Sequence, residues 1–295
     1  PSFLAVVMDS RTPTFRHEKY PQYKANREKA PQDLHDQVPV VEEILDALGV
    51  SCLRRDGFEA DDLIATLAAK SRGESRECYI LSGDKDLLQL VGGGVYVIHP
   101  PKGAEDFVVL DRDGVLAARS VYPEQIVDYL ALAGDQSDNV PGVAGVGDKT
   151  AVKLLGEYGD LERLYGALEQ LQPPGVKKKL EEGRDSAFLS RELVRLRADV
   201  PLDVGFDQLH LDALDRQAAI PLFADLDMSR MVEELGGSFQ EQKEARQLEP
   251  GIYETVLTVE DLERWVAQVS KAGVFAFDTE TDSLDPLQAN PVGFS

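Results

Sequence analysis

The chain has 295 residues, 43% of them hydrophobic and 28% charged, which suits one or two packed domains and excludes a disordered chain. Its formal net charge of −22 excludes a surface that is basic throughout, and no run approaches the roughly 20 apolar residues of a membrane-spanning helix. Two cysteines, Cys52 and Cys78, lie in strand-like sequence and read as separate thiols of a reducing, cytoplasmic setting.

The opening PSFLAVVMDS has no basic leader and starts on an apolar run, so the chain is expected to begin inside a domain. Phe3 to Met8 reads as a buried parallel strand that ends at Asp9. Residues 34–48 carry apolar side chains at helical spacing and stop at Gly49. Val50 to Leu53 is a second strand, residues 60–71 a second helix, and Cys78 to Leu81 a strand ending in SGDKD. Val95 to Ile98 is a further strand, closed by Pro100 and Pro101. This alternation predicts an α/β fold over 1–122, a mostly parallel sheet covered by helices. From residue 123 the pattern is helical, with helices expected at 123–133, 147–157, 160–171, 175–182 and 186–195, and this part runs to 235. The polar stretch 236–251 reads as a linker. Beyond it come a helix at 259–270 and a strand at 274–281, too little to close a core, so 252–295 is expected to be a domain cut short.

Open α/β sheets bind ligands at the carboxyl ends of their strands, and acidic groups gather there. Asp9 follows the first strand, and Asp84 and Asp86 follow the strand ending at Leu81. Glu59, Asp61 and Asp62 stand at a helix start, and Asp135 and Asp138 at a helix end before VPGV. Any one group reads equally well as a helix cap or a turn. Together these acids would repel one another unless cations neutralised them, and a two-metal phosphodiesterase needs such a set.

Basic residues concentrate in two stretches. Residues 11–29 hold Arg11, Arg16, Lys19, Lys24, Arg27 and Lys29, with Phe15, Tyr20 and Tyr23 among them, a mixture suited to phosphates and unpaired bases. Residues 176–197 hold a second group that includes Lys177, Lys178 and Lys179. In VPGVAGVGDKTAVKLL, Gly142, Gly145 and Gly147 join two helices. Such a loop brings backbone amides close to a phosphate, with Lys149 and Thr150 as further donors, or is an ordinary tight turn.

The strings TFRHEKYPQYKANR, GFEADDLIATLA, ILSGDKDLLQLV and LAGDQSDNVPGVAGVGDKTAVKLL resemble the blocks of the 5′-nuclease domain of bacterial DNA polymerase I, from Phe3 to about Leu235. Flap endonucleases share the architecture more distantly. The resemblance implies metal ligation by Asp9, Glu59, Asp61, Asp62, Asp84, Asp86, Asp135 and Asp138. The first four are expected around one Mg²⁺ and the last four around a second, with Mn²⁺ able to substitute. It places 14–29 in a mobile helical arch, with Lys24 and Arg27 stabilising transition-state charge, Arg16 as a third contact and Tyr23 against DNA. The glycine-rich loop becomes a helix–three-turn–helix element that grips DNA and holds a K⁺ by its carbonyls. A further metal-binding Asp belongs on a strand preceding FLAVVMDS, so this chain is expected to bind its metals with one ligand fewer and to be impaired in catalysis.

VFAFDTETDSLD resembles the first motif of the proofreading 3′–5′ exonuclease domain of the same polymerases, of ribonuclease H-like fold, implying metal ligands at Asp278 and Glu280. The expected activity is hydrolysis at 5′ flaps, nicked or gapped duplex and RNA primers by a monomer. A PIN-type ribonuclease and a non-catalytic DNA-binding module are the alternatives; the long helical half weighs against the ribonuclease.

Overall fold

The computed structural model describes residues 1–28, 30–101, 106–211, 214–237, 254–283 and 288–294. The chain divides into two units, Pro1–Gly237 and Ser238–Ser295. The expected linker at 236–251 falls, beyond Gly237, outside the described residues, as does Lys29.

The first unit begins with β1 (Ala5–Val7), α1 (Phe15–Lys19), α2 (Gln32–Ala47), β2 (Ser51–Leu53) and α3 (Ala60–Gly73). β3 (Cys78–Leu81), β4 (Val95–His99), β5 (Val108–Leu110) and α4 (Arg112–Arg119) follow. Among the described residues the expected single sheet is divided into two sheets. β1 pairs with β2 in parallel, Val6 opposite Cys52, while β3 runs parallel to β4 and β5 returns antiparallel, Ile98 opposite Val109. Helix α3 touches both β1 and β3 and so bridges the sheets through side-chain packing, which hydrogen bonding between strands does not do here.

The arch expected over 14–29 is a helix only as far as Lys19; from Pro21 the backbone turns, and Lys24 adopts φ +55°. Left-handed backbone cannot be propagated by L-residues, so a continuous helix through Lys24 is excluded in this conformation.

Helices α5 (Ile126–Ala133), α6 (Asp148–Tyr158), α7 (Leu161–Gly166), α8 (Pro174–Glu182) and α9 (Arg184–Val194) form the helical half, followed by α10 (Ile220–Asp225) and α11 (Ser229–Glu234). Leu130 and Leu132 of α5 are buried with Leu193 and Val194 of α9 in one core cluster that also holds Leu87, Leu88 and Val97 of the α/β half. Both halves therefore share a core, and the expected division at 122 is a change of element type within one packed unit.

Arg16 and Asp62 tie three segments together inside it. Both are essentially inaccessible, at 1% and 0% exposure, and the guanidinium meets the carboxylate with two bonds of 2.7 and 2.8 Å. Arg16 Nε also donates to the Leu193 carbonyl at 2.7 Å, and the Asp62 carboxylate accepts the backbone N–H of Arg197 at 2.9 Å and of Glu59 at 3.2 Å. The fork joins α1, the start of α3 and the chain leaving α9.

In the second unit α12 (Val259–Ala272) starts at Thr258, whose hydroxyl accepts the Asp261 N–H, and β6 (Thr279–Thr281) pairs antiparallel with β7 (Pro291–Phe294). The strand expected at 274–281 is confined to Thr279–Thr281, because only that stretch has a ladder partner; Val274 is 87% exposed. No described helix is long and apolar enough to cross a membrane.

Removing one member of a buried ion pair strands the other charge. Arg16→Met is therefore expected to cost about 3–5 kcal/mol in urea unfolding. Arg16→Met combined with Asp62→Leu should recover most of that loss; equal damage in single and double variants would refute the assignment.

Candidate metal centre

Three of the expected acids converge tightly. Asp86, Asp135 and Asp138, all buried, each offer a carboxylate oxygen within 4.8 Å of the others. Asp86 opens the short 3₁₀ turn Asp86–Leu90 after β3, and its N–H donates to Asp84 Oδ1 at 2.9 Å. Asp135 and Asp138 lie in the turn that follows α5. That turn is closed by reciprocal backbone bonds between Asp135 and Val140, of 2.9 and 2.7 Å. It also requires a close crossing of the chain: a Cβ on Gly142 would sit 2.3 Å from the Gly134 nitrogen, and Gly142 has φ +60°. Gly142, expected as a DNA contact, thus has a structural duty in shaping the acidic turn.

The acids are met by different partners. Lys85 Nζ donates to Asp135 Oδ1 at 2.6 Å and Ser137 adds two bonds; although burial acts the other way, these donors hold the Asp135 carboxyl below its usual range. Asp86 Oδ1 is buried with no hydrogen-bond partner among the described residues. Burial, and then the charges of Asp84, Asp135 and Asp138, push the Asp86 carboxyl well above the carboxylate range. Asp61 is pushed up to about 7 by burial and then by Asp84 and Glu59, with Asp9 contributing. Asp9, Glu59, Asp61 and Asp84 therefore share one acidic neighbourhood. Asp9 is exposed, and its Oδ1 accepts the Ala60 N–H at 2.9 Å at the start of α3.

Glu59 and Asp138 face the basic turn. Lys24 Nζ lies 2.8 Å from Glu59 Oε1 and 3.6 Å from Asp138 Oδ2, and Arg27 pairs with Asp138. The Tyr23 hydroxyl stands 3.0 Å from Glu59 Oε2 and 2.9 Å from Asp138 Oδ2, with its single proton available to one of them at a time. Tyr23 is only 4% exposed, so the expected stacking against DNA is closed to it in this conformation. Arg16 and Asp62 are engaged with each other, so neither the expected phosphate contact nor the expected metal bond is open to them. Of the neighbours Asp61 and Asp62, Asp62 is taken up by Arg16, while Asp61 feels the charges of Asp84, Glu59 and Asp9. Sequence reading missed Lys85, Ser137, Asn26 and Asn139; GDKD and GDQSDN carried the signal for Lys85, Ser137 and Asn139, since each sets a donor within two residues of an acid, and no such signal marked Asn26.

An all-carboxylate donor set with an orphaned buried oxygen suits a hard divalent cation, which takes oxygen ligands. In the glycine-rich loop, Gly147 is exposed at the start of α6 with nothing within 4 Å of where its Cβ would lie, beside exposed Lys149 and half-buried Thr150. The loop carbonyls are differently occupied. Gly142 O accepts Ser186 Oγ at 2.6 Å, Val143 O accepts the Val146 N–H at 2.9 Å, and Gly145 O accepts Lys179 Nζ at 2.9 Å. In the second unit Asp278 and Glu280 are both exposed, and Asp278 Oδ1 accepts the Thr279 N–H.

A carboxyl whose pKa is raised in the fold holds its proton more tightly folded than unfolded. Metal-free protein should therefore lose stability as pH rises from about 4 through about 7 on account of Asp61, and Asp86 acts in the same direction. A divalent cation replaces those protons, so the rise in melting temperature produced by Mg²⁺ over EDTA is expected to be larger at about pH 8 than at about pH 5.5. An increment independent of pH would contradict metal binding at these acids.

Residues 1–119 match the family described as 5′-3′ exonuclease, N-terminal resolvase-like domain, and residues 121–217 match 5′-3′ exonuclease, C-terminal SAM fold. DNA polymerase I of Pseudomonas aeruginosa is 41% identical over 304 residues, covering 99% of this chain and 33% of that protein. DNA polymerase I of Bacillus subtilis is 37% identical over 259 residues, covering 88% of this chain and 29% of that protein. The chain thus spans about a third of the length of these relatives. Among solved structures, T5 5′-exonuclease with bound zinc has a TM-score of 0.52 at 20% identity, covering 81% of this chain and 83% of its own. The bacteriophage T5 D15 flap endonuclease in a pseudo-enzyme–product complex with DNA and metal ions has a TM-score of 0.53 at 19% identity, covering 81% of this chain and 82% of its own. These likenesses show the fold, a PIN-like resolvase half followed by a helical SAM-fold half. With both halves matched in order, this chain belongs through residues 1–217 to the 5′-3′ exonuclease family of nucleases.

Proposed function

We propose that this 5′ nuclease hydrolyses phosphodiesters at junctions of single and double strand, such as 5′ flaps and RNA primers, as part of a DNA polymerase I. The convergence of Asp86, Asp135 and Asp138 beside Glu59, Asp61, Asp84 and Asp9 carries this reading. Two Mg²⁺ ions are the proposed cofactors, with Mn²⁺ able to replace them. Asp86, Asp135 and Asp138 would hold one and Asp9, Glu59, Asp61 and Asp84 the other. Bound there, such ions lower the pKa of an attacking water and stabilise charge on the phosphate. Asp62 is assigned to the scaffold instead, through Arg16.

Lys24 and Arg27 supply positive charge against Glu59 and Asp138, and a substrate phosphate drawn to the metals would meet both cations. Gly147, Lys149 and Thr150 present backbone and side-chain donors to the duplex at the start of α6. The carbonyl of Gly145 is held by the Lys179 ammonium, so the residues present do not fit a K⁺ at that oxygen. Asp278 and Glu280 are proposed as the first metal ligands of a 3′–5′ exonuclease domain. The proposed working form of the nuclease is a cytoplasmic monomer.

With Mg²⁺ present, cleavage is expected at the junction of a 5′-flap duplex. Cutting of single-stranded RNA alone would favour a PIN-type ribonuclease, and binding without cleavage a DNA-binding module. Lys24→Met should lower kcat about 10²–10³-fold while changing the duplex Kd little. The opposite pattern would move Lys24 from chemistry to docking.

A further inference from the structure

The turn that carries Lys24 and Arg27 is fastened to the turn that carries Asp135 and Asp138 by two crossed side-chain amides. Asn139 Nδ2 donates to the Gln22 carbonyl at 2.6 Å, and Asn26 Nδ2 donates to the Gln136 carbonyl at 2.6 Å. Each turn thus gives one asparagine and receives one. Between them the Lys24 N–H donates to the Asp138 carbonyl at 2.9 Å, and Arg27 Nε donates to the Ser137 carbonyl at 3.2 Å. Both turns pass through left-handed backbone, Lys24 at φ +55° and Asn139 at φ +57°. Asparagine tolerates that conformation, whereas lysine rarely adopts it unless its surroundings impose it.

We propose that Asn26 and Asn139 are positioning residues whose crossed amides hold the Lys24 ammonium and the Arg27 guanidinium over the metal-binding carboxylates. The part of this proposal that concerns catalysis rests on the nuclease reading above. The clamp has two opposing consequences. It places both cations where a reacting phosphate will need them, so less order has to be imposed during the reaction. It also sets them against Glu59 and Asp138, where they compete with a divalent cation for the same oxygens. Opening the clamp therefore slows the chemistry and eases metal entry. A tether with a merely structural role has the reverse effect on metal, because loosening the acidic turn scatters its ligands.

Two substitutions separate the amides from the backbone they sit on. Glycine accepts φ +57°, so Asn139→Gly removes the side-chain amide without straining the turn, and Asn26→Ala removes the other amide from an exposed position. Each variant is expected to lower kcat on a 5′-flap duplex about tenfold with KM unchanged. Each should also tighten Mn²⁺ binding to the DNA-free protein about threefold by isothermal titration calorimetry. Weaker Mn²⁺ binding in both variants, or a raised KM at unchanged kcat, would overturn the proposal. The titration requires no cleavage. If the unsubstituted chain bound Mn²⁺ but cut no substrate, the nuclease reading would fail, and the calorimetric comparison would still decide the clamp.

Discussion

Carboxylates brought together inside a protein repel, because the interior screens their charges far less than water does. This chain nevertheless gathers Asp86, Asp135 and Asp138 within 4.8 Å and sets Asp61 and Asp84 beside them. The surrounding structure can be understood as a set of answers to that repulsion. Lys85 and Ser137 satisfy Asp135, while Lys24, Arg27 and Tyr23 face Glu59 and Asp138. Asp86 retains a buried oxygen that no donor among the described residues reaches. The negative charge left over is what a divalent cation would neutralise.

Holding such a cluster requires a frame that does not yield to it. The acids arrive from the end of β1, the start of α3, the turn after β3 and the turn after α5. These segments are fixed by the core shared between the α/β and helical halves, and by the fork of Arg16 on Asp62. The adjacent pair Asp61 and Asp62 shows the division of labour: one carboxylate is left among the acids and the other is buried as an anchor. One residue of helical rotation separates the two roles.

The basic turn stands on both sides of this balance. Its cations compensate the acids, and under the proposed function they would also meet the substrate phosphate. Cations and acids are therefore arranged as a single unit of charge, in which a change in one partner is felt by the other. Fastening the two turns together keeps the unit in register.

Much of this was legible in the sequence. Apolar runs ending in Asp9 and in SGDKD marked strand ends, helical spacing marked α2, α3 and most of α5 to α9, and four ordered blocks identified the nuclease. These are local signals, since periodicity and turn chemistry act over a few residues. What remained hidden is non-local. That Arg16 would turn inward to Asp62, 46 positions away, and that Tyr23 would reach Asp138, 115 positions away, depends on which surfaces meet. The same holds for the division of the sheet into two and for the meeting of Asn139 with Gln22 across 117 positions. The sequence alone determined which residues could carry charge, bind metal or form a turn, because those are properties of side chains and short spacings. Only the tertiary structure decided which charges are paired, which are buried and which remain unanswered, because burial and partnership arise when distant segments pack together.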